Sequence, residues 1–413
     1  MASNSSALQV ADSPSQSVGA ETYFDLHQMR PRSQSEPGDF QTPIILDPMM
    51  RSREAELFES DLRERLVGQD RAIRQLARIY QVYRVGLSPL GRPLANLLLL
   101  GPTGSGKTRL VEAAAEVLFK DPQALVKIDC AEFQHSHEIS KLVGSPPGYI
   151  GHRETHPAIT QEVLERHYTE KLKISLVLFD EIEKASDALW QLLLGVLDKG
   201  TLTLGDNRRV DFSHSLIFLT SNLGSQEIGN LMRGGVGYTS SPSGDDEKLD
   251  QKIYRTAVDA ARRKFSPEFM NRMDKFIVFR TLQREHLDKI LDIELAQVQE
   301  RVLSLAVSRC FVFQCAPNAR NFLLAEGTDA NFGARHLKRC LERHLVYPLS
   351  SLLATDQIQF GDMVMIDYDP TASRLTFRKE NRAALPKVET KPDLEPSWMP
   401  ETDEEQWMES RVQ

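Results

Sequence analysis

The amino-acid sequence predicts an α/β fold, with a parallel sheet flanked by helices and a small α+β unit after it. Five short apolar runs, each of a length suited to one buried strand, are separated mostly by segments with helical spacing. Beyond Thr281 the pattern changes to helical runs followed by two strand-like runs. Unbroken apolar strands that alternate with helices are typical of a parallel sheet covered on both faces.

The predicted elements follow in order along the chain. Residues 54–83 carry apolar side chains at helical spacing, interrupted near Gly68, and predict a helix, a turn and a helix. The five predicted strands of the sheet are residues 97–100, 125–128, 174–179, 216–220 and 276–279. In the small unit, the pattern predicts helices at 284–305, 318–326 and 333–353 and strands at 362–367 and 374–378.

These patterns divide the chain into four parts. Residues 1–50 are rich in Ser, Gln, Pro and Asp and are expected to be disordered, because they cannot bury enough apolar surface to offset their ordering entropy. We expect a large subdomain over 51–280 and a small one over 281–380. Residues 381–413 form an acidic tail, also expected to be disordered, whose tryptophans favour docking onto another surface.

One glycine-rich segment has the strongest chemical signal. It fits the pattern G-x-x-x-x-G-K-[ST] and lies between a predicted strand and a predicted helix, which is the context that a phosphate-binding loop requires. Glycine geometry turns backbone N–H groups toward nucleotide phosphates, a lysine adds positive charge, and a hydroxyl can bind magnesium. The segment consists of Gly101, Pro102, Thr103, Gly104, Ser105, Gly106, Lys107 and Thr108.

An acidic pair closes another predicted strand, about seventy residues later. Asp180 is expected to hold magnesium together with Thr108, and Glu181 to polarise an attacking water. A phosphate loop with such a pair predicts nucleotide hydrolysis rather than binding alone.

Composition excludes several other classes. The formal net charge is −8, and the segment from Glu389 onward, with eight acids and two bases, accounts for −6 of it. The nearly neutral remainder disfavours a nucleic-acid partner. No apolar run is long enough to cross a membrane, so cytoplasm is the expected location. Four cysteines without C-x-x-C spacing predict reduced, buried thiols, and the chain lacks the motifs of serine hydrolases and zinc proteases.

A series of further motifs follows a fixed order along the chain. The motifs are Val67-Gly68-Gln69, the phosphate loop, residues 178–185, 220–225 and 265–272, and Phe332-Gly333-Ala334-Arg335. This series resembles the Clp family of AAA+ ATPases, specifically the second ATPase ring of ClpA, ClpB and ClpC, here in a single-ring form. The resemblance covers roughly residues 55–380 and implies an AAA+ P-loop NTPase fold with ATP and magnesium as cofactors.

The resemblance also implies roles for single residues. Val67, Gly68 and Gln69 match the segment lining the adenine pocket, and Asn222 matches the polar sensor that orients the attacking water. Arg272 matches the arginine finger that reaches a neighbouring subunit's nucleotide, and Arg335 matches a second sensor acting on its own chain's γ-phosphate. Taken alone, Arg272 could equally form a surface salt bridge and Arg335 a solvent contact at a helix start.

Three loops resemble the segments by which Clp rings handle their partners. Gly148, Tyr149, Ile150 and Gly151 match the pore loop that grips polypeptide, although the residues after it depart from the family pattern. Residues 198–212 resemble a second, hairpin-like channel loop. Val236-Gly237-Tyr238 resembles a variant of the tripeptide that docks on a ClpP-like peptidase, and a short glycine-rich turn is the alternative interpretation.

The resemblance implies a homo-oligomer, expected to be a hexamer, that hydrolyses ATP at subunit interfaces and threads unfolded or misfolded polypeptide through a ring. Such a ring could feed a ClpP-like peptidase or act as a stand-alone chaperone. Two alternatives stay open: a DNA-related AAA+ loader or activator, and a nucleotide-gated scaffold that recruits partners without unfolding them.

Overall fold

The computed structural model describes residues 46–48, 50–145, 156–234, 245–305, 309–328 and 333–380. The loops that carry Tyr149 and Tyr238, the residue Phe332 and the acidic tail lie outside these described residues. The helices are α1 (Arg53–Arg65), α2 (Asp70–Arg84), α3 (Lys107–Phe119), α4 (Ile139–Val143), α5 (Gln161–Glu165), α6 (Asp187–Lys199), α7 (Ser225–Gly234), α8 (Asp245–Lys264), α9 (Pro267–Met270), α10 (Arg284–Leu303), α11 (Pro317–Gly327), α12 (Ala334–Leu341) and α13 (Tyr347–Ala354).

The strands of the described residues are β1 (Ala95–Leu100), β2 (Val126–Asp129), β3 (Ser175–Asp180), β4 (Thr201–Thr203), β5 (Arg209–Asp211), β6 (Ser215–Ser221), β7 (Lys275–Val278), β8 (Val312–Cys315), β9 (Met363–Asp369) and β10 (Arg374–Glu380). Five of them form a wholly parallel sheet in the spatial order β2-β3-β6-β1-β7. Each of these five begins and ends within two residues of a strand predicted from the sequence, so the predicted parallel sheet is confirmed.

The central strand β1 supplies side chains to both faces of the sheet. Leu98 and Leu100 pack into one apolar core, while Leu97 and Leu99 pack into the other, as expected from the alternation of side chains along a strand. The first core includes α6 and α8, and the second includes α1, α2 and α3. The sheet is therefore covered on both faces, and the carboxyl ends of its strands are left to build a site.

Helices α1 and α2 confirm the helix, turn and helix that the apolar spacing of residues 54–83 predicts. The Ser52 hydroxyl accepts a hydrogen bond from the Ala55 N–H at 3.2 Å and caps α1. Leu62 on α1 and Ile73 and Leu76 on α2 are buried against the sheet. The two helices thus cover one edge of the second core and bring the intervening turn to the phosphate loop.

The small unit has its own core and a three-stranded sheet in the order β10-β9-β8. Strands β9 and β10 were predicted, whereas β8 was missed; it pairs parallel with β9. The predicted continuous helix over 333–353 is divided into α12, one π turn (Glu342–Val346) and α13. Pro348, at the start of α13, has no N–H to donate to the preceding turn, which gives a local reason for the irregular hydrogen bonding.

Smaller features follow or modify the sequence predictions. Strands β4 and β5 form the antiparallel hairpin expected within residues 198–212. No disulfide joins the four cysteines, but only Cys130 and Cys340 are buried; Cys310 and Cys315 are half-buried, so the prediction of four buried thiols was wrong for two. Within the described residues, no helix is long and apolar enough to span a membrane.

Candidate nucleotide site

The loop between β1 and α3 has the backbone geometry of a phosphate-binding loop. Gly101, Gly104 and Gly106 have φ angles of 145°, 75° and 101°, values that residues with a Cβ rarely adopt. A Cβ on Gly101 would also lie 2.7 Å from the carbonyl oxygen of Phe279. The loop ends at the N-terminus of α3, where unpaired N–H groups and the helix dipole favour an anion.

Lys107 is held inside this loop by three acceptors. Its Nζ donates to the carbonyl oxygens of Gly101 at 2.7 Å and Pro102 at 2.9 Å, and to the Asn222 Oδ1 at 2.8 Å. The pKa of Lys107 is lowered to about 8, mainly by burial; the nearby Arg335 cation also lowers this pKa, and the carboxylates of the site partly oppose both effects. The ammonium is therefore a poorly solvated cation positioned for a polyanionic ligand.

We predict that nucleotide binding takes up a proton near pH 8.5. Phosphate oxygens favour the charged lysine and raise the pKa of Lys107 from its value of about 8. Because a large fraction of the unbound lysine is then neutral, net uptake of a fraction of one proton per ADP is expected, and affinity should fall as pH rises above 8. Calorimetric titrations with ADP and EDTA, in buffers of different ionisation enthalpy, measure this uptake. The control Lys107→Arg should bind without it, and no uptake by the natural chain would contradict the prediction.

Asp180 and Thr108 form a pair of oxygen groups suited to magnesium. The Thr108 hydroxyl lies 3.4 Å from both carboxylate oxygens of Asp180 at the carboxyl end of β3. Thr220, on the neighbouring strand β6, donates its hydroxyl proton to Asp180 and accepts the Glu181 N–H at 3.0 Å. Hard carboxylate and hydroxyl oxygens fit a magnesium ion that keeps several waters. The two predicted ligands are thus brought together.

Glu181 adopts a left-handed backbone conformation, with φ 57° and ψ 46°. This conformation is uncommon for a residue with a side chain and is typical of functional sites. The Glu181 carboxylate accepts a hydrogen bond from the Asn222 Nδ2 at 3.4 Å and forms an ion pair with Lys184. Asn222 therefore joins Lys107 on one side to Glu181 on the other.

A cavity of about 310 Å³ opens beside the phosphate loop, between the large and small subdomains. Val67, Leu282 and Ile290 give it an apolar wall, and Glu181 and Asn222 line its polar end. Such a combination of an apolar pocket with a few converging polar groups is typical of a site for a small ligand. An adenine base would fit the apolar wall, with its phosphates on the loop.

The adenine segment predicted at residues 67–69 has two different parts. Val67 lines the cavity. Gln69 is buried, and its side-chain amide donates to the carbonyl oxygens of Ser105 and Arg280, both at 3.0 Å. Gly68 has a φ of 75°, and a Cβ there would lie 2.9 Å from the His286 ring. Gln69 thus supports the phosphate loop from behind, while Val67 faces the cavity.

The two predicted arginines lie in different places. Arg335, on the first turn of α12, lines the cavity of its own chain. The preceding residues contact the phosphate loop, since the Ala334 N–H donates to the Gly104 carbonyl at 3.3 Å. Arg272 does not line this cavity; its guanidinium forms an ion pair with Asp198 at 2.8 Å.

Sequence reasoning missed several polar residues of the site, and three of them contact residues that it predicted. Thr220 fixes Asp180 and the Glu181 backbone, and the Glu183 carboxylate accepts the Asn222 N–H at 3.1 Å. Lys127, on β2, lies 3.7 Å from Asp180. Thr220 and Lys127 share a positional signal, because both lie at or near the carboxyl ends of strands that flank β3.

Comparison with known proteins connects this geometry to a family. Residues 92–276 match the family described as AAA domain (Cdc48 subfamily), and residues 282–366 match the C-terminal, D2-small domain of ClpB protein. Chaperone protein ClpB2, chloroplastic, of Oryza sativa is 36% identical over 336 residues, 79% of this chain and 32% of that protein. Chaperone protein ClpB of Mesorhizobium japonicum is 37% identical over 341 residues, 82% of this chain and 36% of that protein.

Solved structures give the same assignment. A closed-state cryo-EM reconstruction of Hsp104 with ATPγS and FITC casein has a TM-score of 0.63 at 28% identity, over 79% of this chain and 52% of that one. An extended Saccharomyces cerevisiae Hsp104:casein complex has a TM-score of 0.64 at 28% identity, over 80% of this chain and 53% of that one. This chain spans about a third of the length of the curated relatives. It belongs to the AAA+ ATPases and carries a Clp-type module over residues 92–366, similar to the second ATPase domain of ClpB.

Proposed function

We propose that this chain hydrolyses ATP and uses the energy to remodel polypeptides, as a chaperone of the ClpB type. The arrangement that carries the proposal is Lys107 of the phosphate loop, linked through Asn222 to Glu181, with Asp180 beside Thr108 at the carboxyl end of β3. Phosphoryl transfer needs charge and an oriented water around the γ-phosphate, and these groups supply both. The relatives named as ClpB chaperones support the polypeptide as substrate class.

Each residue has a distinct part in the proposed reaction. Lys107 and the loop N–H groups bind the phosphates, while Thr108 and Asp180 would hold magnesium, which neutralises charge on the phosphate oxygens. Glu181 accepts a proton from the attacking water, and Asn222 keeps that carboxylate oriented toward it. Arg335 senses the γ-phosphate from the small subdomain, so that hydrolysis changes the contact between the subdomains.

The site is complete only between two copies of the chain. Arg272 is absent from the lining of its own cavity and pairs with Asp198 on the surface, where it is available to a neighbouring subunit. An arginine finger supplied in this way makes hydrolysis depend on assembly. We propose a homo-oligomeric ring, with six copies as the sequence resemblance implies. The division into a large subdomain over 51–280 and a small one over 281–380 belongs to the same proposal.

The pore loop supplies the direct test of polypeptide remodelling. Tyr149→Ala should keep ATP hydrolysis within about twofold and slow the unfolding of substrate about tenfold, because a flat aromatic face is the proposed contact. The control Tyr149→Phe keeps that face and should stay close to the natural chain. The measurement is the ATP-dependent fluorescence loss of a fluorescent protein fused to an unfolded extension. Equal unfolding by Tyr149→Ala would contradict the proposed grip.

The other interpretations of the sequence have less support. Relatives named as chaperones, together with the ClpB-type small domain, favour a stand-alone chaperone over a DNA loader or activator. Feeding of a ClpP-like peptidase through residues 236–238 stays a prediction, because that segment lies outside the described residues. Cytoplasmic location also stays a prediction, since the relatives include a protein named as chloroplastic.

A further inference from the structure

A second cavity, of about 420 Å³, lies on the large subdomain between α2, α8 and β7. It shares no lining residue with the nucleotide cavity. The charged groups of its lining are mostly positive, because one carboxylate, that of Asp250, is present with five guanidinium groups. The arginines that line it are Arg51, Arg71, Arg74, Arg78 and Arg280. We call this feature the arginine cavity.

Three of these arginines come from one face of α2. Arg71, Arg74 and Arg78 are spaced at i, i+3 and i+7, which places them on the same side of a helix. Ile73 and Leu76 are buried on the other side against the sheet. All three arginines are exposed, and like charges at this spacing repel each other weakly, so an anion bound on this face would be stabilising.

The carboxylates around the cavity compensate only part of this charge. Asp250, which is buried, pairs with Arg71 at 2.6 Å and also with Arg280, and Arg51 pairs with Glu59. Across the described part of the chain, no ion pair is found for Arg74 or Arg78. The cavity therefore carries an excess of positive charge.

The chemistry of the lining selects a carboxylate-rich ligand with a large apolar group. Guanidinium groups bind carboxylates through two parallel hydrogen bonds, in a geometry that a lysine does not offer. Between the arginines, Ile253, Tyr254 and Phe276 supply apolar surface. An acidic peptide that contains an aromatic residue would satisfy both parts of the lining.

We propose that the arginine cavity binds the acidic segment 389–413 of this chain. That segment has eight acidic and two basic residues, and its Trp398 and Trp407 are flanked by acids. Trp398 lies eighteen positions after the end of β10 at Glu380, enough extended chain to span about 60 Å. Residues 1–45 are a poorer match, with five acids, two arginines and no tryptophan.

Hydrogen exchange on the full-length chain tests the proposal. Backbone amides of residues 389–413 should exchange about tenfold more slowly than those of a synthetic 389–413 peptide, the scale expected of several weak ion pairs held together by one tether. The double variant Arg74→Glu/Arg78→Glu should exchange at the rate of the peptide. The single variant Arg166→Glu, which reverses an exposed arginine on α5's C-terminal side, should keep the protection.

Two features keep this experiment decisive. Protection of the β1 and β6 amides, measured at the same time, reports whether each variant is folded. Adding Glu404→Arg/Glu405→Arg to the double variant restores opposite charges and should recover part of the protection. Exchange at the peptide rate in the natural chain, equal protection in the double variant, or protection found in residues 1–45 instead would each overturn the proposal.

Discussion

Replacing Glu181 by Gln is expected to lower the rate of ATP hydrolysis by about 10²- to 10⁴-fold, the contribution of a positioned general base. Glutamine keeps the shape of the side chain and can still accept the Asn222 amide hydrogen bond, but it cannot take a proton from water. Nucleotide binding should persist within a few-fold, because the proposed phosphate contacts are made by Lys107 and the loop, and not by Glu181. Steady-state hydrolysis and equilibrium binding of a fluorescent ATP analogue separate the two effects.

The matched control is Glu162→Gln, which removes one carboxylate from an exposed position in the first turn of α5. It should hydrolyse ATP like the natural chain. If Glu181→Gln turned over ATP at the natural rate, Glu181 would have no role as the base. The unusual backbone conformation of Glu181 would then need another explanation.

The second large effect is expected at Arg272. Removing an arginine finger typically costs about 10³- to 10⁵-fold in turnover, so Arg272→Ala should bind nucleotide and assemble but hardly hydrolyse. Folding should be little affected, because the ion pairs of Arg272 with Asp198 and Glu268 are partly exposed and such pairs contribute about 0–1 kcal/mol. The rate of ATP hydrolysis reports on turnover and the sedimentation coefficient reports on assembly, both measured with saturating nucleotide.

Asp198→Asn is the control that separates a finger from a structural salt bridge. It removes the nearer ion-pair partner of Arg272, while Glu268 at 3.9 Å and the guanidinium stay in place, so hydrolysis should stay within a few-fold of the natural chain. A loss as large as that of Arg272→Ala would instead indicate that the ion pair with Asp198 is what the site requires.

The parallel sheet could be predicted because burial on both faces leaves unbroken apolar runs, as in β1 and β3. Strand β8 could not be predicted, because only its Phe313 is buried while Val312 and Gln314 are exposed. So short an alternation is not distinct from a loop. The break between α12 and α13 could not be predicted either, because the apolar residues keep their helical spacing through the π turn.

The phosphate loop and acidic pair could be predicted because their chemistry lies in contiguous residues. The contacts of Thr220 and Gln69 could not be predicted, although Gln69 was named as part of the adenine segment, because these contacts come from pairing across the chain. Residue Phe179 of β3 lies opposite Leu219 of β6, and this register places Thr220 beside Asp180. Gln69 reaches Arg280, 211 residues away, to support the phosphate loop. Neither partner is visible in a local pattern.

The central claim is that each nucleotide is hydrolysed between two copies of the chain, and mixing two inactive variants tests it most directly. A Glu181→Gln subunit still carries Arg272, and an Arg272→Ala subunit still carries Glu181, so a mixed ring contains complete sites at their shared interfaces. We expect hydrolysis to reappear on mixing and to reach a maximum near equal proportions. If every mixture stays as inactive as its two components, the arginine and the glutamate do not meet across a subunit interface, and the account is contradicted.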